Sequence, residues 1–244
     1  MNTIHIAKKN VKMIAHRGLS GIEAENSNAA FVAAGNRSYF GIETDVHVTR
    51  DGKFIIHHDD NIKRMTGVDA VIEETDAVEL SLIRLYDRNR EARETEIRRS
   101  DLSLPTLEEY IRICKKYGKV AVLELKRRMT TEAIAGIVEE IRALDYLDNT
   151  IFISFSLMNM QDIRRLLPEQ KAQYLVGAWD DGLLEVLKKD SLDLDIAGSQ
   201  VTPELVRLLH ENGIEINCWT VDSPELATKL VEMGVDYITS NILE

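Results

Sequence analysis

Residues 192–239 read LDLDIAGSQVTPELVRLLHENGIEINCWTVDSPELATKLVEMGVDYIT. Short apolar runs at 192–197, 214–219 and 237–239 alternate here with amphipathic stretches at 203–212 and 224–233. A short apolar run suits a strand covered on both faces, and apolar residues three and four apart suit a helix with one face covered. Strand and helix in strict succession predict parallel strands joined by crossover helices. The punctuation agrees. Pro203 and Pro224 stand at first turns, where a missing N–H costs nothing, and Gly213 and Gly234 follow the helices where a left-handed residue ends them.

The alternation extends backwards through the chain. Strands are predicted over 172–176, 150–154, 119–125, 40–46 and 11–15, and helices over 182–189, 158–167, 131–144, 106–117 and 28–35. Pro105 is read as a first-turn residue and Gly118 as a terminator. Eight strands of this kind predict an α/β fold, a closed (β/α)8 TIM barrel, as a single domain over residues 1–244, although an open doubly wound sheet carries the same local pattern. Between the second and third barrel strands the pattern breaks at about 47–104. There Asp51-Gly52 lies between alternating apolar positions, the signature of a tight hairpin turn. A second strand that overshoots the rim, turns at Asp51-Gly52 and returns brings His57 and His58 back opposite Asp45. Residues 59–103 then form a small charged insertion before the chain rejoins the barrel at Leu104-Pro105-Thr106.

Composition narrows the function. The 244 residues carry 41 acidic and 30 basic side chains, a formal charge of -11, which disfavours nucleic acid and anionic membranes as partners. The basic cluster Arg84, Arg88, Arg90, Arg93, Arg98 and Arg99 is interleaved with Asp87, Glu91, Glu94 and Glu96, the pattern of a solvated face. Cys114 and Cys218 form no CxxC pair and read as structural thiols of a reducing compartment. The absence of a signal-peptide core or an 18-residue apolar stretch points to a cytoplasmic protein without stable membrane association. The oligomeric state is not legible.

Chemistry in such a barrel collects at the C-terminal ends of the strands. Polar residues there are His16 and Arg17 after the first strand, Glu43 and Asp45 in the second, His58 and Asp59 after the hairpin, Glu124 and Lys126 at the third, and Trp219 at the seventh. Glu43 and Asp45 are two apart and share one face, as do Glu124 and Lys126. Three inward carboxylates suit one hard divalent cation, Mg2+ or Ca2+; the alternative is a structural network paired with Arg17 and Lys126. His16 and His58 titrate near neutrality, as proton transfer requires, and alternation puts His57 on the other face. His5, His47 and His210 read as surface or packing residues. Arg17 and Lys126 offer positive charge to an anion without any Gly-rich phosphate loop, Trp219 could stack on a ligand or simply pack, and Ser154 and Ser156 lack a base. These residues together predict metal-assisted acid–base chemistry on a small, phosphorylated anion.

His16-Arg17-Gly18, Glu25-Asn26-Ser27, Gly41-Ile42-Glu43-Thr44-Asp45-Val46, Thr49-Arg50-Asp51-Gly52, His58-Asp59, Arg64-Met65-Thr66-Gly67, Leu123-Glu124-Leu125-Lys126 and Trp219-Thr220-Val221-Asp222 stand in an order that resembles the glycerophosphodiester phosphodiesterase family. The resemblance spans residues 11–240. It implies a TIM barrel with an insertion after the second strand, which hydrolyses glycerophosphodiesters to sn-glycerol 3-phosphate and an alcohol. It further implies that Glu43, Asp45 and Glu124 hold the divalent metal, that His16 and His58 are the acid–base pair acting through a cyclic phosphate, that Arg17 and Lys126 contact phosphate and that Trp219 lines the glycerol side. A lysophospholipid substrate, for lysophospholipase D activity, and a non-catalytic binding barrel are the alternatives. Two departures stand out: Ala24 replaces the family's usual Pro before Glu25, and Thr239-Ser240-Asn241 lacks the usual Thr-Asp, which is expected to affect only the closing loop. A small phosphodiester feels the local site rather than the charge of -11, so its capture is expected to depend on the metal.

Overall fold

The computed structural model describes residues 2–87 and 99–244. Its nine strands are β1 (Lys12–Ala15), β2 (Gly41–Val48), β3 (Phe54–Ile56), β4 (Val120–Leu125), β5 (Thr150–Ser154), β6 (Ala172–Val176), β7 (Asp193–Ala197), β8 (Ile216–Trp219) and β9 (Tyr237–Ser240). All but β3 are parallel, in the order β1-β2-β4-β5-β6-β7-β8-β9. Pairing of Ile14 with Gly41 and of Ala15 with Ile42 joins β1 to β2, while β1 also pairs along its length with β9. That double pairing closes the ring and excludes the open sheet.

The hairpin forms as the sequence suggests. β3 returns antiparallel on β2, with Val46 opposite Ile56 and Val48 opposite Phe54, and Gly52 sits in the turn at φ +74°. The backbone N–H of His57 then donates to the carbonyl of Asp45 at 3.0 Å, so His58 reaches rim level.

Local chemistry sets the element ends. Ser27 caps the helix Asn28–Gly35 by accepting from the N–H of Ala30, and Thr106 and Glu109 close a capping box on Leu107–Tyr117. Pro105 therefore precedes the cap instead of occupying the first turn, a correction to its expected place; its carbonyl accepts from Ile56. The seventh barrel strand begins at Ile216 and not at residue 214, because Ile214 N–H is drawn to the end of the preceding helix at Leu209 and Glu215 N–H to the Asp193 carboxylate.

The insertion proves less purely charged than its composition suggests. Ile62, Ile72, Leu80, Leu85, Leu102 and Leu104 are buried against Ala24 and Ile55 in a small core of their own. Arg99 pairs with Glu23 and Asp101, whereas Arg88, Arg90, Arg93, Arg98, Glu91, Glu94 and Glu96 lie outside the described residues. Cys114 and Cys218 are buried free thiols, and burial pushes Cys114 up to about 12. Among the described residues no helix is long and apolar enough to cross a membrane.

Candidate active site

β2 and β4 run side by side with Asp45 opposite Glu124, so their inward side chains converge at the carboxyl end of the barrel. One oxygen each of Glu43, Asp45 and Glu124 lies within 4.8 Å of the others, and all three residues are buried. Buried carboxylates this close repel. Burial first, then Asp45 and Glu124, push Glu43 well above the usual carboxylate range; burial and Asp45 push Glu124 up to about 8. Against the upward push of burial, Lys126 and Arg17 hold Asp45 well below it. Three hard oxygen donors spanning the coordination sphere of a single ion, with one acid held charged and two reluctant, fit a divalent cation such as Mg2+ or Ca2+.

Both histidines are anchored by one ring nitrogen. His58 Nδ1 lies 2.7 Å from Asp59 Oδ1, and Asp59 Oδ2 accepts from Arg64 Nε at 2.5 Å. Arg64 in turn donates to Glu25 Oε1 at 2.7 Å, which also takes Arg17 Nη1 at 2.8 Å. An unbroken polar chain thus runs from His58 through the insertion to Arg17, whose backbone N–H donates to Glu43 Oε2 at 2.7 Å. Asn26 extends it, donating to Asp45 Oδ2 at 2.8 Å and accepting from Thr44. Arg17 and Asn26 both adopt left-handed backbone, φ +53° and +50°, a conformation that side-chain-bearing residues leave to sites where their surroundings hold them.

His16 Nδ1 lies 2.8 Å from Asn241 Oδ1, and its Nε2 stands 3.9 Å from Glu43. Asn241 Nδ2 donates to Asp222 Oδ2 at 2.6 Å, which fixes the amide with its oxygen towards the imidazole. His16 therefore carries its proton on Nδ1 when neutral and presents a lone pair at Nε2. Burial, then Arg17, lowers its pKa.

A cavity of about 90 Å3 opens over these groups. His16, Arg17, Glu43, His58, Glu124 and Trp219 all reach it. Asp45 and Lys126 stand behind its wall, where Lys126 Nζ bridges Asp45 at 3.2 Å and Glu124 at 2.9 Å. Trp219 meets Phe155 edge to face at 5.5 Å. His57 is buried on the other side of the hairpin and its pKa falls to about 4 through burial; His47 is likewise buried. His5 and His210 pair with Glu244 and Asp236, and Ser154 donates to the carbonyl of Leu125. Sequence reasoning missed four contributors. Asn241, weighed only as a change in the closing loop, holds His16; Glu25 and Arg64 link the insertion to the site; and Asp195 lines the cavity floor. The motifs Glu25-Asn26-Ser27 and Arg64-Met65-Thr66-Gly67 carried a signal for two of them, and Asp195 had none.

A sequence model of the Glycerophosphoryl diester phosphodiesterase family matches residues 16–243. The chain is similar to a glycerophosphodiester phosphodiesterase of Caldanaerobacter subterraneus, 27% identical over 94% of this chain and 93% of that one. It is also similar to the structure of an Oleispira antarctica phosphodiesterase in complex with the product sn-glycerol-3-phosphate, at TM-score 0.84 and 27% identity, covering 98% and 96% of the two chains. A human lysophospholipase D shares 41% identity, but over 28% of this chain and 22% of that one. With a closed barrel, a buried carboxylate triad and a match over nearly its whole length, the chain belongs to the glycerophosphoryl diester phosphodiesterase family of enzymes.

Proposed function

We propose that the protein hydrolyses glycerophosphodiesters to sn-glycerol 3-phosphate and an alcohol, with Glu43, Asp45 and Glu124 holding one divalent cation and His16 and His58 moving the protons. The observation that carries this reading is the pair of imidazoles on one cavity with the triad, each tethered through Nδ1 and so offering Nε2 to a substrate. A bound divalent cation would supply Lewis-acid stabilisation of charge on the phosphoryl oxygens.

The two tethers differ, and the difference supports distinct roles for the two histidines. His16, half-buried and held by a neutral amide, is kept as the free base and takes the proton of the glycerol 2-hydroxyl as that oxygen attacks phosphorus. His58, hydrogen-bonded through Nδ1 to the Asp59 carboxylate, protonates the departing alcohol as its P–O bond breaks. The resulting cyclic phosphate opens when His58 takes a proton from water and His16 returns one to the 2-oxygen. Arg17, at the cavity wall, offers its guanidinium to the phosphoryl oxygens; Lys126 acts from behind by holding Asp45 and Glu124. Trp219 and Phe155 pack on the carbon skeleton.

The test is the regiochemistry of the products. Glycerophosphocholine should yield choline and sn-glycerol 3-phosphate; release of phosphocholine and glycerol would overturn the reading. Lysophospholipase D activity is favoured only by the short human match and by Phe155, about half exposed at the cavity. Rates on glycerophosphocholine and on lysophosphatidylcholine separate the two.

The Asn241 tether carries its own prediction. Asn241→Ala should lower kcat by about 10- to 100-fold with little change in KM, because His16 can then adopt the other tautomer or swing away. An unchanged kcat would show that the 2.8 Å contact orients nothing.

A further inference from the structure

The floor of the cavity holds a carboxyl group that none of the proton transfers uses. Asp195 lies on β7, opposite Asn217 on β8, and is 2% exposed. Its Oδ2 accepts from Asn217 Nδ2 at 3.2 Å, and the same amide donates to Gln173 Oε1 at 3.1 Å while Asn217 Oδ1 accepts from Thr239 at 3.1 Å. Four barrel strands thus brace one side of the carboxyl group. Its other oxygen, Oδ1, is buried without a hydrogen-bond partner among the described residues, as is Trp219 Nε1 on the neighbouring strand. Both residues line the cavity, as do the apolar Ile153, Leu175 and Phe155. An unpaired buried polar atom costs about 1–3 kcal/mol, so two at one cavity mark where a ligand's polar atoms belong.

We infer that Asp195 is a specificity-determining residue that hydrogen-bonds the free primary hydroxyl of the substrate's glycerol, with Trp219 Nε1 donating to the same hydroxyl. The inference rests on the proposed phosphodiesterase reading and narrows its substrate to diesters whose glycerol carries no acyl chain on that oxygen. Three features choose glycerol over the leaving alcohol. The volume of about 90 Å3 lies far below the roughly 300–1,000 Å3 of drug-sized pockets and suits a three-carbon polyol. The closed end must hold the part that stays bound through both halves of the reaction, while the alcohol has to leave by the open end. A hydroxyl needs both an acceptor and a donor, which Asp195 Oδ1 and Trp219 Nε1 supply between them. Burial pushes the Asp195 carboxyl well above the usual range, and a protonated carboxyl keeps an acceptor for the hydroxyl while losing its aversion to the apolar floor.

The experiment measures binding and turnover side by side. The probes are sn-glycerol 3-phosphate and propane-1,2-diol 1-phosphate, which keeps the 2-hydroxyl and lacks only the primary one, together with their choline diesters. Metal-loaded wild-type protein should bind the glycerol phosphate about 10- to 100-fold more tightly than the deoxy analogue and show the same preference in kcat/KM. Asp195→Ala should lose the glycerol phosphate's advantage while keeping its affinity for the deoxy analogue. Asp195→Asn, which preserves the Asn217 contact and packing, should retain part of the preference and guards against a folding defect in the alanine variant. Equal binding of the two phosphates by wild type, or equal loss of both in both variants, overturns the inference. So does a loss that follows exchange of choline for ethanolamine. A wild-type binding preference without hydrolysis of either diester would instead sink the phosphodiesterase reading and leave Asp195 as a polyol-phosphate reader.

Discussion

His16→Ala protein should hydrolyse glycerophosphocholine about 10²- to 10⁴-fold more slowly than wild type, chiefly in kcat, while still binding a divalent cation and unfolding at an unchanged urea midpoint. The size follows from the role proposed for His16. An alcohol hydroxyl is a poor nucleophile at neutral pH, and His16 Nε2 is the lone pair that the Asn241 and Asp222 hydrogen bonds hold ready for its proton. Loss of the ring removes a base without emptying the apolar core, since His16 lines the cavity and is partly exposed. His58→Ala should fall by a similar factor on substrates with a poor leaving alcohol and by much less on a p-nitrophenyl phosphodiester, whose leaving group needs no proton. His16→Ala should suffer on both diesters of glycerol, because the 2-hydroxyl must be activated in either case. The double variant should be little slower than the worse single one, as groups acting in one proton relay are not additive. Equal sensitivity of the two variants to the leaving group would overturn the assignment of base to His16 and acid to His58, and near wild-type turnover in His16→Ala would remove it from the chemistry.

Where the sequence was legible, one physical rule decided the matter. Strands such as Thr150–Ser154 and Ala172–Val176 are covered on both faces, so their apolar runs have abrupt ends that coincide with the observed ones. Helix starts were equally plain at Pro203 and Pro224, each behind a hydroxyl cap, Thr202 or Ser223. The triad was readable because strand alternation puts residues two apart on one face, and the Asp51-Gly52 turn brought His58 and not His57 to the cavity for the same reason. The closed barrel was the expected fold, but local periodicity left the open sheet as an alternative because it is blind to whether the first strand meets the second, and the β1–β2 pairing decides between them. The residues missed share a different property. Asn241 is 225 positions from His16 along the chain, and an amide in a loop announces neither its direction nor its partner. Asp195 and Asp193 alternate to the same face of one strand, yet Asp195 faces the cavity whereas Asp193 accepts from the Glu215 backbone near the opposite end. Depth within the barrel separates them, and depth is a property of strand register with neighbours. Lys126 shows the same limit: its charge was evident, but the sequence left it between contacting phosphate and pairing with the acids, and the fold puts its Nζ 3.2 Å from Asp45 and 2.9 Å from Glu124.

Removal of the divalent cation should abolish turnover and lower the melting temperature, with the second effect growing as the pH rises from 5 to 8. The sign follows from the protons. Glu43 is raised well above the carboxylate range, and Glu124 to about 8, in the folded protein, against about 4.3 for a glutamate in an unfolded chain. Between those values these two glutamates hold protons in the metal-free native state that the unfolded chain releases, so their contribution to stability falls as the pH rises, against the opposite contribution of His16, His47 and His57, which burial lowers. Asp45 shifts downward and opposes this only below its unfolded value near 3.9, outside the window. A divalent ion bound to all three carboxylates favours their ionised forms and offsets the repulsion, so its stabilisation grows as competing protons leave. An ion at 100 times its dissociation constant contributes about 2.7 kcal/mol, which for a domain of this size is about 5–10 °C in Tm. Thermal melts with EDTA and with millimolar Mg2+ or Ca2+ at pH 5, 6.5 and 8 read the effect directly. Glu124→Gln should flatten the pH dependence of the metal-free melt and weaken the response to the ion, since the amide cannot ionise. Turnover indifferent to EDTA, or a gain in melting temperature on adding the ion that does not grow from pH 5 to 8, would mean that Lys126 and Arg17 alone balance the three acids and that the cluster is a structural network.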